Sequence, residues 1–385
     1  MRISPFVIFF SIVLTVYGLI NYYIFNHAIQ AFPSPSRYTG LFTTLFVFLV
    51  VSYPAGRFLE RVWQSWISDL FTWVGAFWLA AMFYFFLIVL VSDMISLTGW
   101  MVPKLPALLI HPTADLKVFY LYSSIGVVVL ALVLGHINAL HPRIRVIDIQ
   151  TGKKALGPKE VSIVMASDIH LGTIIGPRRV GRLVNTINGL KPDLVVLAGD
   201  VVDEDLKPVI RQNLGEALRK ISAPLGVYAI TGNHEYIGGA EAACRYLENH
   251  GITMLRDSVV SIKGMFYLAG REDRSINSFA GKKRKTLNSL LAGLDRDRPI
   301  VLMDHQPFNL EEAERQHVTL QLSGHTHYGQ IWPLNYIIDA IYELGMGYKT
   351  IGNTHYYVSP GYGSWGPPVR IGHRPEIALI RLRFE

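Results

Sequence analysis

Four stretches of this chain carry no aspartate, glutamate, lysine or arginine: residues 3–36, 38–56, 70–92 and 118–140. A helix rises 1.5 Å per residue and needs about 20 residues to cross roughly 30 Å of hydrocarbon, so each stretch reaches or nearly reaches that length. In lipid every backbone N–H and C=O must be satisfied within the segment, which a helix does. The first 140 residues therefore read as an α-helical membrane domain of about four transmembrane helices. The second stretch is the weakest, because Pro54 lacks an N–H and is expected to end it early, leaving an interfacial or re-entrant piece as the alternative. The first is too long in its apolar run, and too poor in small residues afterwards, for a cleaved secretory signal.

Lysine and arginine near the ends of such helices set their orientation. Arg2, Arg57, Arg61, Arg143, Arg145, Lys153 and Lys154 fall on one side of a four-helix arrangement, and Arg37, Lys104 and Lys117 on the other. The expectation is that the rest of the chain faces the cytoplasm. Half of all residues are hydrophobic and the mean hydropathy is +0.29, values that suit a membrane anchor joined to a soluble domain. The balance of 36 basic against 29 acidic residues gives +7, which favours contact with an anionic leaflet or an anionic substrate. No nucleic-acid recognition module accompanies that charge, and Lys282-Lys283-Arg284-Lys285 reads as a solvated loop or a lipid-headgroup contact. Cys244 is the only cysteine, so no intramolecular disulfide is possible.

Residues 141–159 read as a linker, with turn signals at His141-Pro142, Thr151-Gly152 and Gly157-Pro158. From residue 160 to 385 apolar runs alternate with helix-like patterns, as an α/β layered domain requires. The runs 161–166, 194–198, 227–231, 300–303 and 318–323 each end just before a short polar cluster. These clusters are Asp168-Ile169-His170, Gly199-Asp200-Val201-Val202-Asp203, Gly232-Asn233-His234-Glu235, Asp304-His305 and Gly324-His325-Thr326-His327. Ligands at strand ends converge on one crevice in α/β folds. Oxygen and imidazole donors without thiolate suit manganese, iron or zinc, manganese first. Two cations about 3.5–4 Å apart need a carboxylate between them, and Asp200 is the natural bridge. Two divalent cations bring four positive charges and Asp168 with Asp200 return two, so such a site would stay electropositive toward phosphate. Asp203, Glu235 and Asp304 are placed to orient ligands, or to be solvated turn residues.

The ordered set D-x-H, G-D-x-x-D, G-N-H-E, a single histidine and G-H-x-H resembles the calcineurin-like metallophosphoesterases over roughly residues 158–385. The resemblance implies two packed mixed β-sheets flanked by helices and a pair of divalent metal ions. It implies Asp168, His170, Asp200 and His327 around one ion, and Asp200, Asn233, His305 and His325 around the other. His234 is then the group beside the scissile phosphate, and a metal-bridging hydroxide the implied nucleophile. The segments Tyr357-Val358-Ser359, Gly361-Tyr362-Gly363, Arg370 and Pro375-Glu376-Ile377 resemble the membrane-associated bacterial branch, which includes UDP-2,3-diacylglucosamine hydrolase-like enzymes. That implies a bacterial inner membrane, and makes Arg370 either a bidentate phosphate ligand or a structural ion-pair partner. Tyr328 departs from this branch, which commonly has glycine after the last histidine.

Downstream of His327, Leu334, Ile337, Ile338, Ile341 and Leu344 share one helical face and Asn335, Asp339 and Glu343 the other. That face either packs on the domain or meets acyl chains at a bilayer. The reading as a whole is a membrane-anchored phosphoesterase acting on a phosphoester or pyrophosphate bond in a lipid-linked or nucleotide-linked substrate. The alternatives are a broad-specificity phosphatase or phosphodiesterase that is merely tethered, and a non-catalytic membrane sensor or scaffold.

Overall fold

The computed structural model describes residues 5–32, 37–101 and 113–385. Arg2 and Lys104, used above for orientation, lie outside the described residues. The chain divides into two compact units, Met1–Gly135 and His136–Glu385.

Among the described residues, four helices are long and apolar enough to cross a membrane, over Ser11–Ile29, Arg37–Val62, Trp66–Thr98 and Ala114–Ala139. The second helix does not stop at Pro54 but continues to Val62. Proline at this position removes the bond to the carbonyl four residues back, that of Val50. The Tyr17 hydroxyl of the first helix donates to that carbonyl at 2.7 Å, so the freed group is satisfied from a neighbour. The second and third helices meet through glycine. A Cβ on Gly75 would collide with the backbone of Ser52 and Tyr53, and one on Gly56 with the backbone of Phe71 and Thr72. Without a hydrophobic drive between helices in lipid, such close approach and buried polar contacts supply the association. Trp78 Nε1 donates to Asn21 Oδ1 at 3.0 Å in the same bundle.

The second unit is built on twelve strands: β1 (Arg143–Gln150), β2 (Glu160–Ala166), β3 (Leu194–Ala198), β4 (Val227–Ile230), β5 (Thr253–Met254), β6 (Ser258–Ile262), β7 (Phe266–Gly270), β8 (Ile300–Met303), β9 (Leu320–Ser323), β10 (Gly347–Ile351), β11 (Thr354–Val358) and β12 (Glu376–Arg383). They form two six-stranded sheets, ordered β1-β12-β2-β3-β4-β5 and β10-β11-β9-β8-β7-β6. Both are mixed: β2 to β5 run parallel, β12 pairs antiparallel with β2, and β6 and β10 are the antiparallel edges of the other sheet. The stretch expected to be a linker carries β1, paired in parallel register with the C-terminal strand from Arg143↔Glu376 to Gln150↔Arg383. Its partner is more than 200 residues away, so local turn signals gave no hint of the pairing.

Side chains alternate across each strand. Ile163, Met165, Leu194 and Val196 point between the sheets, where they meet Leu268, Val301, Leu320 and Leu322. Val164, Ala166, Val195 and Leu197 point the other way, onto the helices Pro177–Gly189 and Ala240–Asn249 through Val180, Leu183, Ile187 and Leu247. Burial on both faces is why these strands read as unbroken apolar runs rather than alternating ones. Truncating a central residue such as Ile163 to alanine would cost about 2–5 kcal/mol. The second sheet is covered by Leu287–Leu290 and Leu310–Arg315, packed on Ala269, Ile300, Leu302 and Tyr356.

Candidate metal centre

The C-terminal ends of β2, β3 and β4 from one sheet, and of β8 and β9 from the other, open on the same crevice. Just past these ends the chain bends sharply. Asp168 (φ 51°), His170 (φ 53°), Asp200 (φ 51°), His325 (φ 72°) and His327 (φ 45°) all adopt left-handed backbone, which is uncommon for residues other than glycine. Strain gathered on chemically equipped residues is characteristic of functional sites. The bends are fastened to one another: Asp168 N–H donates to the Gly199 carbonyl at 3.0 Å, His170 N–H to Asp200 at 3.0 Å, and Gly324 N–H to His305 at 2.9 Å. The glycines before the ligands permit contact with ligand side chains. A Cβ on Gly232 would strike the Asp200 carboxylate, and one on Gly324 the Asp168 carboxylate.

Three clusters of candidate ligand atoms result, two of them made by the residues expected as ligands and the third by His170, Asp203 and His234. Asp168, His170 and His327 offer donor atoms within 4.8 Å of one another, and so do Asp200, His305 and His325. His170 Nε2 and His327 Nε2 are 3.0 Å apart. Asn233 Oδ1 joins the second cluster, 2.8 Å from His325 Nδ1. The Asp200 carboxylate reaches both, with Oδ2 3.1 Å from His305 Nε2 and 3.9 Å from His170 Nε2. Every residue expected as a metal ligand is therefore in one place, with Asp200 between the two groups.

The chemistry of the donors fits cations. His305 Nδ1 donates to the Ala198 carbonyl at 2.7 Å, which leaves Nε2 as the ring nitrogen turned to Asp200. Asp168 is fully buried, and its Oδ2 has no hydrogen-bond partner. Buried acceptors facing one another are costly unless a positive charge joins them. Burial alone would raise the Asp200 carboxyl, but His305, His234 and His170 around it hold it well below the usual carboxylate range. His327 is pushed well below the ordinary imidazole value by burial, then by His170 and Arg370, and so is held neutral, as a ligand must be.

His234, not expected as a ligand, belongs to the third cluster with His170 and Asp203. Its Nδ1 lies 3.2 Å from Asp203 Oδ1, which is also 3.5 Å from His170 Nδ1. Burial works against protonation of His234, but Asp200 and Asp203 outweigh it and raise the imidazole to about 9. Asp203 thus orients two imidazoles at once.

Glu235 is buried and accepts backbone N–H bonds from Gly232 at 2.7 Å, Val202 at 2.9 Å and Asp200 at 3.1 Å. It ties the β3 and β4 ends together. Burial, then the charge of Asp200, push its carboxyl up to about 7. Asp304 faces away from the ligands, held by Arg271 at 3.1 Å and Arg284 at 2.9 Å. The basic run 282–285 is accordingly not all solvated: Arg284 turns inward onto Asp304, and Lys285 Nζ reaches the Asp257 carbonyl at 3.1 Å.

Arg370 is neither ion-paired nor open to a phosphate. It is fully buried and donates to the carbonyls of Pro360, Gly361 and Gly363, with Nη2 3.3 Å from His327 Nδ1. Burial lowers its guanidinium to about 9, which leaves it charged at neutral pH. The loop it braces also meets the Asp168 carbonyl, through Gly363 N–H at 2.7 Å.

Exposed apolar side chains follow the last histidine in sequence. The helix Asn335–Ile341 buries none of its residues, and Ile337 (54%) and Ile341 (56%) are exposed together with Trp332 and Tyr336. Ile338 and Leu344 are partly covered, so the expected single face is split between packing and solvent. Tyr328 donates to Asp339 at 3.0 Å and ties this helix to the last histidine. Trp365, which the sequence reading passed over, has its ring 5.8 Å from that of His234 and is 54% exposed. The one signal for it was a lone tryptophan in the turn-rich segment 363–368, and a turn alone does not say what it faces.

Residues 161–329 match the profile of the family described as calcineurin-like phosphoesterase. An uncharacterized metallophosphoesterase of Aquifex aeolicus is 31% identical over 250 residues, 64% of this chain and 94% of that protein. Another, of Campylobacter jejuni, is 28% identical over 396 residues, covering 98% of this chain and 99% of that one, apolar helices included. The Danio rerio protein named transmembrane protein with metallophosphoesterase domain is 32% identical over 265 residues, 65% of this chain and 60% of its own length.

Proposed function

The chain belongs to the calcineurin-like metallophosphoesterases, and from that premise we propose that it hydrolyses a phosphoester or pyrophosphate bond in a lipid-linked or nucleotide-linked substrate. It does so as a protein of the bacterial inner membrane whose phosphoesterase unit faces the cytoplasm. The cations are held by Asp168, His170, Asp200 and His327 on one side and by Asp200, Asn233, His305 and His325 on the other, with manganese the first choice for this thiolate-free set. Two divalent cations there would supply a water made acidic enough to attack at neutral pH and positive charge for phosphoryl oxygens. The chain's own contribution to the chemistry is His234. With Nδ1 turned to Asp203, its other nitrogen is left for the phosphoryl group or the leaving oxygen, and a protonated imidazole can hydrogen-bond the first or donate to the second. The exposed Trp365 ring stands edge-on to that imidazole, with 5.8 Å between ring centroids.

The observation that carries the lipid-linked reading is exposed apolar surface, Trp365 beside His234 and Trp332, Tyr336, Ile337 and Ile341 in the segment that Tyr328 ties to the last histidine, on a chain that also carries four membrane-length helices among the described residues. Aromatic and aliphatic side chains left in solvent at the mouth of a polar site suit a substrate with acyl chains. The test pairs two substrates: a long-chain phospholipid-like pyrophosphate and a short water-soluble chromogenic ester, each with the full chain in detergent and manganese. Ile341→Glu is expected to impair cleavage of the first and spare the second. Because Ile341 is exposed, its charge is solvated and the melting temperature should hold. Equal activity of the variant on both substrates would leave a tethered, broad-specificity phosphatase as the function.

A further inference from the structure

The membrane unit contains a cavity of about 780 Å³ between the first, third and fourth helices. Its two ends differ in chemistry. Ile24, Phe85, Ile88 and Val127 form the inner walls, and His27, Asp93 and Lys117 stand at the outer end. Along the fourth helix the lining runs from Lys117 to Val127, about 15 Å at 1.5 Å per residue. That is about half of a 30 Å hydrocarbon core, the depth of one leaflet.

The polar end has a defined charge. The Tyr23 hydroxyl donates to Asp93 Oδ2 at 2.5 Å. His27 Nδ1 lies 3.0 Å from the Tyr23 carbonyl oxygen and its Nε2 3.1 Å from Asp93 Oδ1. Both imidazole nitrogens thus face acceptors, and the near partners of the Asp93 carboxyl are Tyr23 and His27. Lys117 Nζ has only the Gln30 amide oxygen beside it, at 3.4 Å, and no carboxylate within ion-pair reach among the described residues. Lys117 is thus a cation at the mouth with no acidic partner among the described residues. Polar and ionisable side chains at such positions are costly in a membrane protein and mark binding sites or pathways.

We propose that this slot binds one anionic phospholipid, its phosphate on Lys117 and an acyl chain along the apolar walls. The polar end supplies one unpaired ammonium for one phosphate negative charge. The depth matches one leaflet, and a cavity with apolar walls inside a bilayer is filled by chains rather than by water. The site is separate from the metal centre, and the inference stands or falls without the proposed reaction.

The test uses the full chain purified in detergent and titrated with phosphatidylglycerol and with phosphatidylcholine under native mass spectrometry. The wild type should retain the first about tenfold more tightly, the scale of one charge-assisted contact. Lys117→Gln should remove that preference. Ile88→Trp, which fills the slot, should remove retained lipid altogether, and Lys191→Gln, exposed on the other unit, should change nothing. Phosphatidylglycerol with a diazirine on its acyl chain should cross-link within residues 24–31, 85–96 and 117–127. Equal retention of both lipids by the wild type would overturn the proposal. So would a preference that survives Lys117→Gln, or cross-links confined to other segments, a readout that holds even if Ile88→Trp folds poorly.

Discussion

Asp200 concentrates the demands of the site on one residue. Its carboxylate faces both ligand clusters, its backbone N–H is held by Glu235, and its Oδ1 accepts the His234 N–H at 2.8 Å. Asp200→Asn keeps the shape but halves the carboxylate charge of the Asp168 group and removes the only one of the His305 and His325 group. We expect loss of bound metal and of turnover, and elemental analysis finding two metals in an active variant would remove Asp200 from the bridging position. His234 and His325 separate binding from chemistry. His234→Ala should keep its metal and lose roughly 10²- to 10⁴-fold in turnover, whereas His325→Ala should lose metal. Finding the reverse pattern would mean the two roles are exchanged. Glu235 tests the support beneath them. Replacing it with alanine orphans three backbone donors and should weaken metal affinity by about 10- to 100-fold, read by competition with a chelating dye.

Among the elements, the helix pair Arg37–Val62 and Trp66–Met101 and the edge strand β1 were the hardest to foresee. Pro54 reads as a breaker because its own helix offers no remedy, and the remedy is Tyr17 on another helix. Gly75 lies against backbone, so Gly75→Leu should force the second and third helices apart. We expect a lower melting temperature in detergent with little change in the catalytic rate of protein that remains folded. An unchanged melting temperature would mean that this contact contributes little to the bundle. By contrast β2, β3, β4, β8 and β9 were legible, since each is buried on both faces and stops at a glycine or an acidic residue. The segment after His327 was half legible. Its aliphatic spacing predicted a helix, but Ile337 and Ile341 stay in solvent while Leu344 turns to the core.

At the scale of the whole molecule, the proposed orientation rests on Arg57, Arg61, Arg143, Arg145, Lys153 and Lys154 against Arg37 and Lys117 among the described residues. It can be measured directly. On a background lacking Cys244, a cysteine at Lys154 should be protected from a membrane-impermeant thiol reagent in intact cells, and one at Thr113 should react. Labelling at Lys154 would put the phosphoesterase unit outside and exclude a cytoplasmic substrate.

The sequence by itself determined the division into long apolar helices and an α/β phosphoesterase domain, and it named the side chains that gather in the crevice. Hydrocarbon thickness dictates the length of an uncharged run, and metal chemistry dictates which side chains follow a strand; both are local facts written in consecutive residues. What only the tertiary structure decided are contacts between distant parts. Arg370 turned out to brace a loop under His327, Asp304 to be neutralised by Arg271 and Arg284, β1 to lie against β12, and Trp365 to lean on His234. Each is set by which surfaces come together when the two sheets pack. A side chain's own residue type and neighbours in sequence do not contain that information, because the partner that satisfies or neutralises it is supplied from elsewhere in the chain.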